Sequence, residues 1–228
     1  MALKMQELPE KAVNAEQPEQ YIGAGVFVAS NRGGRRNSGL RSSSCVSESQ
    51  ATELLEAASY AAAEGMPFNR FTTIHWDAAS VKAPLAATSD LLKALSEAVR
   101  RMGGQFAYVW VRETGPSKGE HVHIVWHGPV VFPSLREVIS RSVIASGGNR
   151  VRGVRKTLTI GRSLAAASSV SAHYRLNRDE VMDYCLKGTV TESLERAGVR
   201  RIEPGGVVVG KRCGRSNNIG RASRLAAG

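Results

Sequence analysis

With 228 residues and 42% apolar content, the chain has room for one full domain with tails or for two small domains. Lys and Arg outnumber Asp and Glu by 31 to 20, a formal charge of +11 that favours a polyanionic partner, most often nucleic acid. Cys45, Cys185 and Cys213 form no C-x-x-C pair, which excludes a zinc-thiolate knot and a disulfide framework and fits a reducing compartment.

Residues 1 to about 50 are polar, and the run from Asn31 to Gly39 carries too little apolar surface to offset the entropy of ordering. Most of this region is expected to be a flexible arm, with a short strand conceivable at Tyr21 to Ala29. Ala51 to Glu64 is Ala-rich and predicts a helix. Phe71 to Trp76 is β-branched and aromatic, hence a strand. Ser89 as N-cap and Gly103 as stop frame a helix with Leu91, Leu95, Val99 and Met102 on one face. Phe106 to Glu113 and Glu120 to His127 predict two strands, joined into an antiparallel pair by a turn at Gly115 to Gly119.

Ser134 caps a helix through Ile144, stopped by Gly147 and Gly148. Val154 to Ile160 alternates as a strand does. Asn177, with Glu180 three residues on, matches a capping box and opens a final helix that carries Tyr184 and stops at Gly188. Thr191 to Ala197 adds a turn or two. Residues 201–228 read as a basic tail. The order β-α-β-β-α-β and then a helix predicts an α+β fold over 51–200: an open antiparallel sheet with helices packed on one face.

No apolar run approaches the roughly 18 residues of a membrane span, and Glu7 and Glu10 interrupt any signal-peptide core. A cytoplasmic protein without a membrane partner is expected. The positive charge is clustered. From Arg141 to Arg178 there is no acid among Arg141, Arg150, Arg152, Arg155, Lys156, Arg162, Arg175 and Arg178. Arg150, Arg152, Arg155, Lys156, Arg175 and Arg178 are the expected phosphate contacts. A second acid-free stretch holds Lys211, Arg212, Arg215, Arg221 and Arg224, equally consistent with nonspecific DNA contact and with a solvated tail.

Two short patterns carry chemistry. His121 and His123 are two apart on a strand and share a face, so both imidazoles can reach one divalent ion. Two histidines suit Mn, Co, Ni or Zn, and a carboxylate added to them makes Mg2+ or Mn2+ workable. Glu113 ends the preceding strand and returns beside the histidines through the hairpin. Glu120 points to the opposite face, Glu180 is an outside candidate, and His127 belongs to an outer shell. The bland account of H-x-H is two satisfied histidines.

The second pattern is Tyr184-Cys185-Leu186-Lys187. Tyr184 and Lys187 are neighbours on a helix. A phenol with a pKa near 10 attacks a phosphodiester only if a metal makes the phosphorus electrophilic and a cation assists, and Lys187 supplies that cation. The bland account is a core tyrosine beside a surface lysine. Tyr174 reads as a core or substrate-stacking residue.

Together these residues resemble the HUH endonuclease superfamily, specifically single-tyrosine rolling-circle replication initiators (Rep proteins). Phe71 to Trp76 is similar to the first motif strand, His121 to Trp126 to the H-hydrophobic-H strand, and Tyr184 to Lys187 to Y-x-x-K, in the family's order over about residues 68 to 190. The resemblance implies an RRM-like Rep fold and Glu113, His121 and His123 as ligands of Mg2+ or Mn2+. It also implies nicking of single-stranded origin DNA, free or in a hairpin, through a 5′-phosphotyrosine on Tyr184, with Lys187 assisting. Gly205 to Arg212 nearly fits a phosphate-binding loop, but Arg212 stands where a hydroxyl is needed, so a host helicase and polymerase are implied partners. Single-tyrosine transposases and relaxases of the superfamily are the nearest alternative; relaxases usually show a third clustered histidine and an N-terminal tyrosine, neither of which stands out here. A non-catalytic RRM-like RNA binder, stacking bases on Tyr108, Trp110 and Trp126, is the alternative of another class.

Overall fold

The computed structural model describes residues 41–161, 171–190, 200–201 and 203–227. The strand considered at 21–29, most of the expected arm and the turns at 191–197 lie outside these residues.

Alternation builds the sheet. Strands β2 (Arg70–His75), β3 (Ala107–Gly115), β4 (Gly119–His127) and β5 (Arg155–Thr159) pair in the order β5-β2-β4-β3, all antiparallel, with β7 (Cys213–Arg215) added at the β3 edge. The register sets Glu113 and His75 on either side of His121, and Val111 and Thr73 on either side of His123. Side chains of directly paired residues share a face. One face therefore carries Phe71, Thr73, His75, Val109, Val111, Glu113, His121, His123 and Val125. The other carries Ile74, Trp110, Arg112, Val122, Ile124 and Trp126.

The mixed α+β architecture and its antiparallel sheet match the expectation, but the helices lie on both faces rather than one. The Val109 face packs against α1 (Glu48–Ala63) and α4 (Ala172–Leu186) through Leu54, Ala58, Met182 and Leu186. The Ile124 face packs under α2 (Pro84–Arg101) and α3 (Leu135–Ala145) through Leu91, Leu95, Ile139 and Val143. The central strands are apolar on both sides, and a sheet of that kind requires a layer over each.

Helix starts differ from expectation for local reasons. In α2, Pro84 takes the first position, where its missing N–H costs nothing, and Ser89 sits inside with its hydroxyl donating to the Leu85 carbonyl. In α4, Ser171 is the cap and accepts from the Tyr174 N–H, while Asn177 lies within the helix and donates its amide to the His173 carbonyl. Ser47 caps α1 in a full capping box with Gln50, ahead of the predicted start at Ala51.

The termini are folded where they are described. Strand β1 (Ser42–Ser43) pairs with β6 (Val208–Val209), and Val46 is fully buried, so ordered structure begins before residue 51. The expected tail from 201 contributes β6, β7, a 3-10 turn at Asn217–Ile219 and α5 (Arg221–Ala227). Three of its arginines, Arg212, Arg215 and Arg224, are held internally. Arg212, 2% exposed, donates to the Ser43 hydroxyl at 2.9 Å and to several backbone carbonyls. Arg112, 1% exposed, pairs with Glu120 and donates to the Lys211 carbonyl at 2.9 Å. A buried guanidinium is tolerated only when its fork is filled in this way. Arg215 and Arg224 pair with Glu53. Among the described residues no helix is long and apolar enough to cross a membrane.

Candidate metal centre and tyrosine site

The β3–β4 hairpin makes the centre. Gly119 turns the chain with φ of +59°, and the Asp77 carboxylate accepts the following Glu120 N–H at 2.7 Å. From that turn His121 and His123 project beside Glu113. The Glu113 Oε2 atom lies 3.5 Å from Nε2 of each imidazole, and one ligand atom from each of the three residues falls within 4.8 Å of the others. All three side chains are buried. Glu113, His121 and His123 thus form a buried group able to bind a metal ion.

The second hydrogen bonds of the imidazoles fit that role. His121 Nδ1 meets the Gly119 carbonyl at 3.0 Å. A carbonyl only accepts, so Nδ1 carries the proton, and in the neutral ring Nε2 keeps its lone pair for the centre. His123 Nδ1 bonds the Thr73 hydroxyl at 2.9 Å, and a proton there leaves Nε2 free in the same way. His123 Nε2 and Glu113 Oε1 are buried atoms without a hydrogen-bond partner. Two imidazole lone pairs and a carboxylate converging on one point repel unless a proton or a cation stands between them. The donor set, two nitrogens and an oxygen, fits a borderline divalent ion such as Mn2+ and admits Mg2+ through the carboxylate.

Electrostatics agree. Burial pushes the Glu113 carboxyl up, but with no cation bound, protons held between it and the facing His121 and His123 rings, together with the charge of Lys187, outweigh burial and hold the group at about 2. Burial lowers His123 below the ordinary imidazole value, against the pull of Glu113. Burial opposes the charge on Lys187, yet its bond to Glu203 and the charges of Glu113 and Tyr184 raise its pKa.

Tyr184 stands beside the centre. Its ring is 5.1 Å from the His123 ring, edge to face, and 5.9 Å from Phe71. The Lys187 Nζ atom sits 4.5 Å from the Tyr184 ring centroid, 3.4 Å from Glu113 Oε2 and 2.7 Å from Glu203 Oε2. Lys187 is the residue that ends α4, so it reaches back across the tyrosine to the metal ligands. Tyr184, His121, His123, Lys118, Lys156 and Arg201 line one open cavity of about 410 Å³.

Several expectations are corrected here. Glu180 is exposed and lines the same cavity, but it lies outside the ligand group. His127 lies at the far end of β4 with Nδ1 on the Pro67 carbonyl at 2.8 Å, so it is no outer-shell residue. Of the two readings of Tyr174 the core one holds, since it shares α4 with Tyr184 and is fully buried. Glu120 does point to the opposite face, where it pairs with Arg112. The six basic residues expected at phosphates divide. Lys156 pairs with Thr73 and lines the tyrosine cavity. Arg155 pairs with Ile74 and, with Arg150 and Arg152, lines a separate cavity on the other face. Arg175 is exposed on α4, and Arg178 pairs with Asp179 at 2.6 Å.

Sequence reasoning missed three residues. His75 stacks against His121 at 5.3 Å, a third imidazole on the metal face. Burial together with the charges of His121, Lys118 and His123 lowers its pKa. Its alternation with Thr73 and Phe71 signalled the face, but only the register shows its neighbour. Arg201, 5.8 Å over the Tyr184 ring, and Glu203, on Lys187, had no signal at all, because they come from beyond the segment read as the domain.

Searches against models of protein families, curated proteins and solved structures found no match to this chain.

Proposed function

We propose that this chain is a Rep-type HUH endonuclease that nicks and rejoins single-stranded DNA with Mg2+ or Mn2+, initiating rolling-circle replication of a small plasmid or phage with a host helicase and polymerase. The strand order β5-β2-β4-β3, with α2 and α3 as the crossovers of a β-α-β-β-α-β unit, supports the RRM-like form of the fold. One observation carries the reading: a buried Glu113–His121–His123 group lies in ring contact with a half-buried tyrosine that a lysine also touches.

The divalent ion would supply electrophilic activation of the scissile phosphate and stabilise its developing charge. Glu113, His121 and His123 would hold it. Tyr184 attacks the phosphorus with its phenolic oxygen. The new bond is tyrosine O–P, the P–O3′ bond breaks, the phenolic proton passes to solvent through the open cavity, and the departing 3′ oxygen takes up a proton. Lys187, 4.5 Å from the Tyr184 ring, offers its cation to the reacting phosphate, and Lys118, Lys156 and Arg201 hold flanking phosphates. The 5′-phosphotyrosine keeps the bond energy for rejoining.

The test is a single-stranded hairpin oligonucleotide incubated with Mn2+ and resolved under denaturing conditions. A covalent protein–DNA adduct is expected, absent in Tyr184→Phe and with chelator. Tight binding with no adduct under any divalent ion would replace this reading with a non-catalytic module. That alternative is weakened by burial of Trp110 and Trp126 beneath α2 and α3, where neither can stack a base. His75 beside His121 supplies a third clustered imidazole, one of the two relaxase features that did not stand out in the sequence, and so favours a relaxase as second reading. The chemistry is the same, and mapping the cut site separates the two.

A further inference from the structure

Among the described residues, a cluster of unpaired positive charge lies away from the tyrosine. A cavity of about 710 Å³ opens between α3 and the turn leading into β5, and Arg136, Arg150, Arg152 and Arg155 line it. It belongs to the α2–α3 side of the sheet: its floor includes Val143 and Val154 of the core beneath those helices, and Arg155 pairs with Ile74 of that face. The metal ligands and Lys156 stand on the opposite face.

Among the described residues, none of the four guanidiniums has a carboxylate or hydrogen-bond partner. The one acid in the lining, Glu137, is held by Arg141 at 2.8 Å. The buried and half-buried arginines Arg112, Arg212, Arg215 and Arg224 donate to carbonyls or carboxylates, whereas Arg136, Arg150, Arg152 and Arg155 share a concavity without any. Four like charges left together around a concavity repel one another until an anion enters. Arg155, half-buried and facing Arg136, is the clearest case.

We infer that this groove binds the phosphate backbone of a double-stranded DNA segment, separate from the single-stranded cavity around Tyr184. Arginine forks match phosphate oxygens in geometry and charge. The lining contains no aromatic side chain, so it offers no platform for unstacked bases. A surface with guanidiniums and no stacking groups suits a duplex, whose bases are already stacked inside and whose phosphates face out. The inference deepens the nicking proposal: paired DNA flanking the cut, such as a hairpin stem, would be held on one side of the sheet while the strand to be cut enters the other.

The test compares affinities, not cleavage, in a Tyr184→Phe background. Fluorescence anisotropy is measured with a blunt duplex of 16 base pairs and with a single strand of equal length, across a salt series, for the parent and for R136Q/R150Q/R152Q. These three side chains are exposed, so the folded state should persist, as a thermal melt checks. Loss of about tenfold or more in duplex affinity is expected, with the salt slope reduced by about one unit per removed contact and a smaller loss for the single strand. Unchanged duplex affinity and slope would overturn the inference, as would equal losses on both DNAs. Because no cleavage is read, a failed adduct assay with a positive duplex result removes the nuclease and keeps the groove, and the reverse result does the opposite.

Discussion

Replacing Glu113 by Gln gives the protonated shape of the side chain without its charge, and the structure sets the cost. The carboxyl is held at about 2 rather than its ordinary 4.5 by the imidazoles and Lys187, despite burial. At about 1.36 kcal/mol per tenfold change in proton affinity, that difference contributes roughly 3 kcal/mol of folding stability at pH 7. For a chain of this size the loss lowers the melting temperature by roughly 10 °C. The sign follows from linkage: a carboxyl with a depressed folded pKa stabilises above its unfolded pKa, and the contribution fades as pH falls from about 4.5 toward 2. The gap between wild type and Glu113→Gln should therefore be full at pH 7 and roughly halved at pH 3. Thermal unfolding with chelator present measures it. Adding Mn2+ at about a hundred times its Kd should raise wild-type stability by roughly 3 kcal/mol and leave the variant almost unmoved. A variant as stable as wild type at pH 7, with the same Mn2+ response, would refute both the electrostatic account and the ligand role.

Thr73→Val removes the partner of His123 Nδ1 while keeping volume, and should weaken Mn2+ binding by about 10- to 100-fold in calorimetric titration, with little change in secondary structure. Because burial keeps His123 below the ordinary imidazole value, its proton does not compete with metal at neutral pH; Mn2+ affinity should hold level from pH 8 to about 6.5 and fall only below, and a decline already between pH 8 and 7 would count against the assignment. Gly206→Ala should loosen the C-terminal strap: φ is +62° and an added Cβ would strike the Thr114 carbonyl oxygen, so faster proteolysis after residue 190 and reduced adduct yield are expected together.

The site was more legible than the fold around it. His121 and His123 announced themselves by a period of two, and Glu113 followed from the length of the hairpin, because strand geometry converts spacing directly into a shared face. The Tyr184–Lys187 pair was legible as a helical neighbour relation, although Lys187 is the residue that closes the helix, not one inside it. Helix positions suffered where two cap signals competed: Ser89 and Asn177 are good caps in isolation, but Pro84 and Ser171 stand earlier and win. The second helix layer was missed because Val122, Ile124 and Trp126 read as a strand core without saying that Val109, Val111 and Val125 needed cover as well. His75 illustrates a general limit, since a strand's own alternation gives its face but never its neighbour.

The surplus of positive charge needs the same correction. As composition it pointed to nucleic acid, and the basic run after Glu203 looked like part of that surface. In the folded chain Arg212 instead grips backbone carbonyls from the N-terminal side of the domain, and Arg215 and Arg224 tie the C-terminal elements to α1 through Glu53. Those charges are consumed in docking a strap whose other end brings Arg201 over Tyr184 and Glu203 onto Lys187. Glu203 shares the lysine with Glu113, so the charge that Lys187 offers the phenol depends on whether the strap is seated. Among the described residues, the cations that line cavities open to a partner include Lys118 and Lys156 around the tyrosine, with Arg201 beside them on Asp183, and four arginines beyond the sheet. Folding thus divides one compositional excess into a structural part, a part that tunes the tyrosine, and a part that remains free for phosphate.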